Sequence, residues 1–222
     1  MYQFNLHVIV GYINLLPAAI GMTLLISVET ILLSLAIGMV GATWRLSDKM
    51  LLRFLSAAYV EVFRNVPVLV LIYIVFFGIA QFGLRVSNYY SGLIALTLNG
   101  SAYMTEIFRG GLIAIPRGQY LAGQSQGMTR FQLYRHVVMP QVIRIIFAPI
   151  GNQFIAIVIG SSLAAVIGVE EVSNWMFSVG NDTFRYMESF LVAGFVYVAL
   201  AQAINICRLA IGRLLMRAPG AR

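Results

Sequence analysis

Eight polar side chains stand out within stretches that are largely apolar: Glu29, Asn99, Ser101, Glu106, Asn152, Gln153, Ser161 and Ser162. In hydrocarbon each needs a hydrogen-bonding partner or an aqueous cavity, because an unpaired polar group there is strongly disfavoured. Asn99, Glu106, Gln153, Ser161 and Ser162 are the candidates for lining a path along which a polar solute moves. The competing expectation is interhelical hydrogen bonding, which is preferred for Glu29. Pro149, Gly151, Gly160 and Gly168 are expected to break the stretch that carries the two serines, and broken backbone at membrane depth belongs beside protein or a cavity.

The residues that would do covalent chemistry are missing or misplaced. A phosphate-binding P-loop needs a lysine after a glycine-rich turn, and the only lysine, Lys49, follows Ser47 and Asp48. His7 and His136 fall on opposite expected sides of the membrane, and no Cys or carboxylate cluster completes a metal set with either. Serines abound, but no histidine lies at membrane depth to act as their base. The single cysteine, Cys207, excludes an intrachain disulfide and is expected to pack. Catalysis is therefore not expected, nor a metal or cofactor held by this chain.

The elements that position these groups follow from composition. Of 222 residues 60% are apolar and 10% charged, against about 25% charged in ordinary soluble domains. Apolar stretches at 18–43, 66–82, 93–108, 142–166 and 190–211 read as five membrane spans. Pro67 suits the first turn of the second, where its missing N–H is harmless. No Lys or Arg precedes Thr43, so the first span is expected to be retained rather than cleaved as a signal.

Five spans put the termini on opposite sides. With the C-terminus inside, the inner segments hold Arg45, Lys49, Arg53, Arg64, Arg109, Arg117, Arg130, Arg135, Arg144, Arg208, Arg213, Arg217 and Arg222, and the outer ones hold Arg85 and Arg185. That asymmetry sets the C-terminus in the cytoplasm and the N-terminus outside. It also accounts for the net charge of +7 without a nucleic-acid partner, because the arginines are scattered between apolar spans. Glu170, Glu171 and Asp182 fall in the outer loop before the last span and are expected on a surface that meets something outside the cytoplasm.

Between the third and fourth spans, residues 109–141 are too many for a turn and too apolar for a solvated loop. Two short helices are expected there. Gly127 is placed to end the first in a left-handed conformation, Thr129 and Gln132 have capping-box spacing to start the second, and Pro140 is expected to stop it. Phe131 and Tyr134 share one face, beside Arg130 and Arg135. Amphipathicity alone leaves docking on lipid and docking on protein equally open.

The segment Gly118-Gln119-Tyr120-Leu121-Ala122-Gly123-Gln124-Ser125-Gln126-Gly127-Met128, continuing to Val138-Met139-Pro140-Gln141, resembles the EAA loop of ABC-importer permeases, with Leu121 in place of the motif's Glu and Gly123 in place of its second Ala. Three further motifs stand in that family's order: Tyr59-Val60-Glu61-Val62-Phe63-Arg64-Asn65-Val66-Pro67, Ala102-Tyr103-Met104-Thr105-Glu106-Ile107-Phe108-Arg109-Gly110-Gly111, and Ser161-Ser162-Leu163-Ala164-Ala165-Val166-Ile167-Gly168-Val169. Over nearly the whole chain the sequence is similar to the polar amino-acid permeases of histidine, glutamine and glutamate importers. Relatives often carry Lys and then Asn or Asp before the serine pair, where this chain has Ile159 and Gly160.

The resemblance implies one all-α transmembrane permease domain over 1–222, of the ABC type I importer class, in the bacterial inner membrane. It implies that Leu121, Ala122, Gly127, Thr129, Arg130, Phe131 and Tyr134 form coupling helices seated in an ATPase. It further implies a partner ATPase dimer that binds ATP and Mg, a second permease, identical or homologous, and a periplasmic or extracellular amino-acid-binding protein. Rival readings are an ion-coupled secondary transporter, which has no need of the cytoplasmic helix pair, and a membrane-embedded enzyme.

Overall fold

The computed structural model describes residues 4–215, all of them helical or in short connections. Arg217 and Arg222, counted above among the inner arginines, lie outside the described residues. Ten helices follow in order: α1 (His7–Val10), α2 (Leu16–Arg45), α3 (Met50–Asn65), α4 (Val68–Gln81), α5 (Asn88–Ile113), α6 (Arg117–Ser125), α7 (Arg130–Leu133), α8 (Met139–Gly160), α9 (Val172–Thr183) and α10 (Tyr186–Leu215).

The central contact is α2 against α5, and small side chains on both make it close. On α2 the buried residues are Ala19, Thr23, Ile26, Ser27, Thr30, Ser34, Gly38 and Ala42, with one apolar residue larger than alanine among them. They recur every three or four residues, the spacing of one helix face. A side chain at Gly38 would collide with Met104, at Gly41 with Thr105 and at Gly100 with Ser34. This is small-residue packing of the kind that joins helices in lipid, where burial of apolar surface offers no advantage over contact with acyl chains.

The second apolar stretch is shorter than expected and is preceded by a helix. Residues 50–65 form α3, and α4 follows at an angle of 105°. The break is local chemistry. Pro67 disfavours helical geometry at the residue before it, so Val66 is extended at φ −83° and ψ 127°, and the helix restarts at Val68 with Pro67 as its N-cap.

Two expectations about residues 130–167 are corrected. Pro140 does not stop the second short helix: one continuous helical stretch runs Arg130–Ile167. A π-helical turn at Tyr134–Val138 shifts the hydrogen-bond ladder, with Met139 N–H donating to Tyr134 C=O, and Pro140 then occupies the first turn of α8. There a proline's missing donor costs nothing. Neither Pro149 nor Gly151 interrupts α8, which continues to Gly160; the change comes at Ser161–Ile167, a 3-10 stretch that ends at Gly168 with φ +81°.

One end of the molecule is closed by α1, α9 and the start of α10. Ile9, Ala19, Val172, Trp175, Val179 and Ala193 form its core, and the Trp175 indole N–H donates to Tyr12 C=O at 3.0 Å. Glu171 belongs to this end but not to its surface, which corrects the expectation for that residue. It is fully buried and accepts from Thr23 Oγ1 of α2 at 3.3 Å, from the N–H of Ser173 at 2.7 Å and of Asn174 at 3.2 Å, and from the Tyr197 hydroxyl of α10. Glu170 and Asp182 are exposed as expected.

Three helical stretches are long and apolar enough to cross a membrane, Ile13–Arg45, Arg130–Ile167 and Tyr186–Leu214, and the bent α3–α4 pair makes a fourth if it counts as one span. The 26-residue α5 is long enough, yet it carries Ser91, Thr97, Asn99, Ser101, Thr105 and Glu106. The α1 segment packs at the α9 end, whereas Cys207, Arg208 and Ile211 of α10 share a cavity with Tyr134 and Met139 at the other. The first and last described segments therefore lie at opposite ends.

Candidate functional site

The polar candidates divide between two levels. Helices α5 and α8 run antiparallel, since a side chain added at Gly160 would meet Leu96, one at Gly100 would meet Ile157 and one at Gly111 would meet Ile146 and Val142. Ser161 and Ser162 thus lie near the level of Leu96. Glu106 is ten residues further along α5, about 15 Å away at the helical rise. Asn99 falls between them.

At the first level Ser161 is buried, with its hydroxyl donating to Val158 C=O at 2.8 Å, while Ser162 and Gln153 are half-buried. Asn99 Nδ2 donates to Phe63 C=O at 2.7 Å, which ties α5 to the end of α3. Ser101 and Tyr59 share a hydrogen bond of 2.6 Å across the same pair of helices, and the tyrosine also donates to Leu98 C=O at 3.0 Å. Glu29 accepts from Tyr89 OH at 2.8 Å, a helix-to-helix contact of the kind expected for it.

At the second level charges gather. Glu106 accepts from Arg109 Nε at 3.0 Å and from Nη2 at 2.6 Å, and Arg45 Nε of α2 comes within 3.7 Å. Arg64, near the end of α3, lies with its guanidinium carbon 4.9 Å from the centre of the Tyr103 ring, a cation-π arrangement. Arg64, Tyr103 and Glu106 line an open pocket of about 310 Å³ together with Ile107, Gly110, Gly111, Ile145, Ile146 and Pro149. The exposed Arg64 and the arginine-paired Glu106 therefore border one small, largely apolar hollow. Sequence reasoning singled out Glu106 but used Arg45 and Arg64 only as markers of the inner side and gave no role to Tyr103. The signal was present for two of them, which stand inside the quoted motifs.

The 109–141 segment forms the second site. Helix α6 ends at Gly127, whose φ is +74°, a conformation that costs roughly 1–2 kcal/mol with a side chain. Thr129 then caps α7: its hydroxyl accepts from Gln132 N–H at 3.3 Å and its own N–H donates to Gln132 Oε1 at 2.9 Å. The expected left-handed glycine and capping box are both present.

Beneath these turns Ile115, Leu133, Val138, Val142 and Ile146 form one buried cluster with Ile107, Phe108, Tyr120 and Met128 packed on it. A side chain at buried Gly123 would press on the end of Leu133, which would have to turn aside. On the other side Leu121 is 52% exposed, Phe131 72% and Tyr134 44%, and Ala122, Thr129 and Arg130 are exposed as well. Tyr120 and Tyr134 meet edge to face at 6.2 Å. The segment is thus bolted to α5 and α8 on one face while presenting bulky apolar groups on the other. Burial shifts the Tyr120 phenol upward from its ordinary value, helped by the neighbouring Tyr134.

An all-helical scaffold with membrane-length apolar helices and a rigid, apolar-tipped projection is the build expected of a membrane transport component. The chain belongs to the binding-protein-dependent transport system inner membrane component family, whose model matches residues 34–218. It is 33% identical over 199 residues to a Bacillus subtilis (strain 168) protein named "Probable amino-acid ABC transporter permease protein", covering 90% of this chain and 88% of that one. It is 35% identical to the octopine transport system permease protein of Rhizobium meliloti, covering 83% and 79%.

Among solved structures it is similar to an amino acid ABC transporter crystallised with histidines, at a TM-score of 0.89 and 28% identity over 96% of this chain and 99% of that one. The inward-facing methionine transporter MetNI shares the fold, at a TM-score of 0.77 and 20% identity over 92% and 98%. The chain is a multi-pass bacterial inner-membrane protein with the fold of an ABC type I importer transmembrane domain.

Proposed function

We propose that the chain is the permease subunit of an ATP-binding-cassette importer that moves a polar amino acid across the inner membrane by alternating access. Five crossings, with the N-terminus outside and the C-terminus cytoplasmic, agree with the arginine distribution and with the opposite-end placement of α1 and the last turns of α10. The chain pairs with a second permease, an ATPase dimer docks at the α6–α7 end, and a solute-binding protein docks at the α9 end. ATP and Mg belong to the ATPase, and this chain supplies walls and a lever.

The observation that carries the reading is the seating of the 109–141 segment. Phe131 stands 72% exposed two residues before the 2%-exposed Leu133. A groove in a partner that holds Phe131 and Leu121 moves α7, and because α7 continues through the π turn into α8, the motion passes into a transmembrane helix without crossing a loop. A helix pair docked only on lipid needs no such rigid connection.

The amino-acid substrate class is supported by the relatives' names and by the Arg64–Tyr103–Glu106 cavity. Its volume of about 310 Å³ is at the small end of ligand pockets, and Arg64 on its lining suits an α-carboxylate. Ser161, Ser162, Asn99 and Gln153 are the further residues proposed to line the path.

The reading is tested by placing a photo-crosslinking phenylalanine analogue at position 131 in the assembled complex. Crosslinking to the ATPase subunit, with a yield that changes when ATP is added, is expected. Crosslinks to lipid alone support the interfacial-helix reading instead.

A further inference from the structure

A second and larger cavity, about 970 Å³, lies between α2, α5, α8 and α10, away from the small charged one. Its walls are apolar, with Met39, Ile146, Phe154 and Ile204 along its length and Tyr134 at the α6–α7 end. Arg208 is the one charged residue in that lining. Its Nη2 donates to Asn205 Oδ1 at 2.7 Å. Its Nε is buried without a hydrogen-bond partner, and among the described residues no carboxylate lies within 4.0 Å of the guanidinium.

The placement of Arg208 is built into the helix packing. Its stem crosses α8 at Gly151, where any side chain would collide with Arg208 Cδ and approach Nε to 3.3 Å. Arg208 is half-buried, and its one buried, unpaired donor beside apolar walls favours an anion that reaches it. The walls specify which anion. The volume is near the top of the range of about 300–1,000 Å³ typical of ligand pockets, and a soluble phosphate would leave nearly all of it empty. Helices α2, α8 and α10 are membrane-crossing by length and apolarity, so the available molecule with both a phosphate and a hydrocarbon chain is a lipid. Basic pockets between transmembrane helices at the headgroup level are suited to such ligands.

We propose that this cavity binds one anionic phospholipid, with an acyl chain along Met39, Ile146, Phe154 and Ile204 and the phosphate on Arg208. The lipid then touches Tyr134, the first residue of the π turn that joins α7 to α8, so its occupancy bears on the segment assigned above to coupling. Binding itself does not depend on that assignment.

The test uses the purified complex exchanged from vesicles of phosphatidylcholine alone or mixed with phosphatidylglycerol, with retained lipid identified by native mass spectrometry. One phosphatidylglycerol per copy of this chain is expected to survive detergent washing, in preference to phosphatidylcholine. Arg208→Gln should lower that retention about tenfold, the loss of one charge-assisted contact. Arg208→Lys should keep most of it, and Ala203→Phe, which fills the cavity and leaves the arginine in place, should also lose the lipid.

Equal retention of both lipids, or phosphatidylglycerol retention that persists in both Arg208→Gln and Ala203→Phe, overturns the proposal. So does displacement by inorganic phosphate with no effect of Ala203→Phe, which would mean that the anion alone is bound. Cys207 lines the same cavity, and efficient disulfide formation between two Cys207 thiols in the membrane would show instead that a second copy occupies it.

Discussion

Arg109 grips Glu106 through two nitrogens, Nε at 3.0 Å and Nη2 at 2.6 Å, one helical turn apart on α5. Arg45 of α2 approaches the same carboxylate at 3.7 Å, so one acid serves two arginines on the two helices whose small residues interlock. The carboxylate carries less negative charge than the two arginines around it carry positive.

Glu106→Gln removes the anion and leaves the arginines. With the two side chains 18% and 32% exposed, the loss of a charge-assisted pair is expected to cost about 1–3 kcal/mol, visible as a lowered melting temperature of the complex. Uptake should fall further than complex yield. Uptake and yield falling in equal proportion would leave Glu106 a packing residue only.

Replacing Gly127 by Val should impair transport while leaving membrane insertion intact, because φ +74° is strained for a β-branched residue and the site lies outside every apolar span. Open space surrounds the position, so the effect is conformational and not a collision. Gly127→Ala should have a smaller effect. ATPase stimulation by liganded binding protein is the measurement, and full stimulation in Gly127→Val would deny the segment its coupling role.

Burial holds the Glu171 carboxyl above the usual carboxylate range, against the opposing effect of its hydrogen bonds from Tyr197, Ser173, Asn174 and Thr23. The folded protein therefore keeps this proton at pH values where the unfolded chain has lost it. The stabilisation is complete below the unfolded value of about 4.3 and is lost as pH rises through the higher folded value. Melting temperature measured across that window should decline less steeply in Glu171→Gln than in the parent; identical slopes would contradict the assignment.

The sidedness of the two ends is open to direct labelling. With Cys207→Ser as background, a cysteine at Asp182, exposed on α9, should react with an impermeant maleimide added outside. One at Gln126, exposed beside Gly127, should react only after the membrane is opened. Labelling of both from outside would defeat the five-span reading.

Much of this was legible in the sequence because it rests on local chemistry. Gly127 owes its conformation to its lack of a side chain, and Thr129 and Gln132 owe theirs to their own polar groups; the apolar stretches located the long helices, closely for α2 and α4 and several residues short for α5 and the stretch through α8. What was missed depends on register and on distant partners. Pro140 reads as a terminator until the π turn before it supplies a new helix start. Glu171 reads as a surface acid beside Glu170, and only the arrival of Thr23 and Tyr197 from other helices buries it. Cys207, expected to pack, is instead exposed and lines the larger cavity. The Arg64–Tyr103 contact joins two motifs separated by a helix and a bend, which spacing alone does not bring together.

The central claim is that this chain converts ATPase motion into amino-acid movement. Its most direct test is uptake of labelled polar amino acids into proteoliposomes holding the permease, its ATPase and ATP, with the binding protein outside. Uptake that requires ATP, the ATPase subunit and the binding protein together, and that is lost in Phe131→Ala while complex assembly persists, is the predicted result. Uptake driven by an ion gradient with no ATPase present would contradict the account.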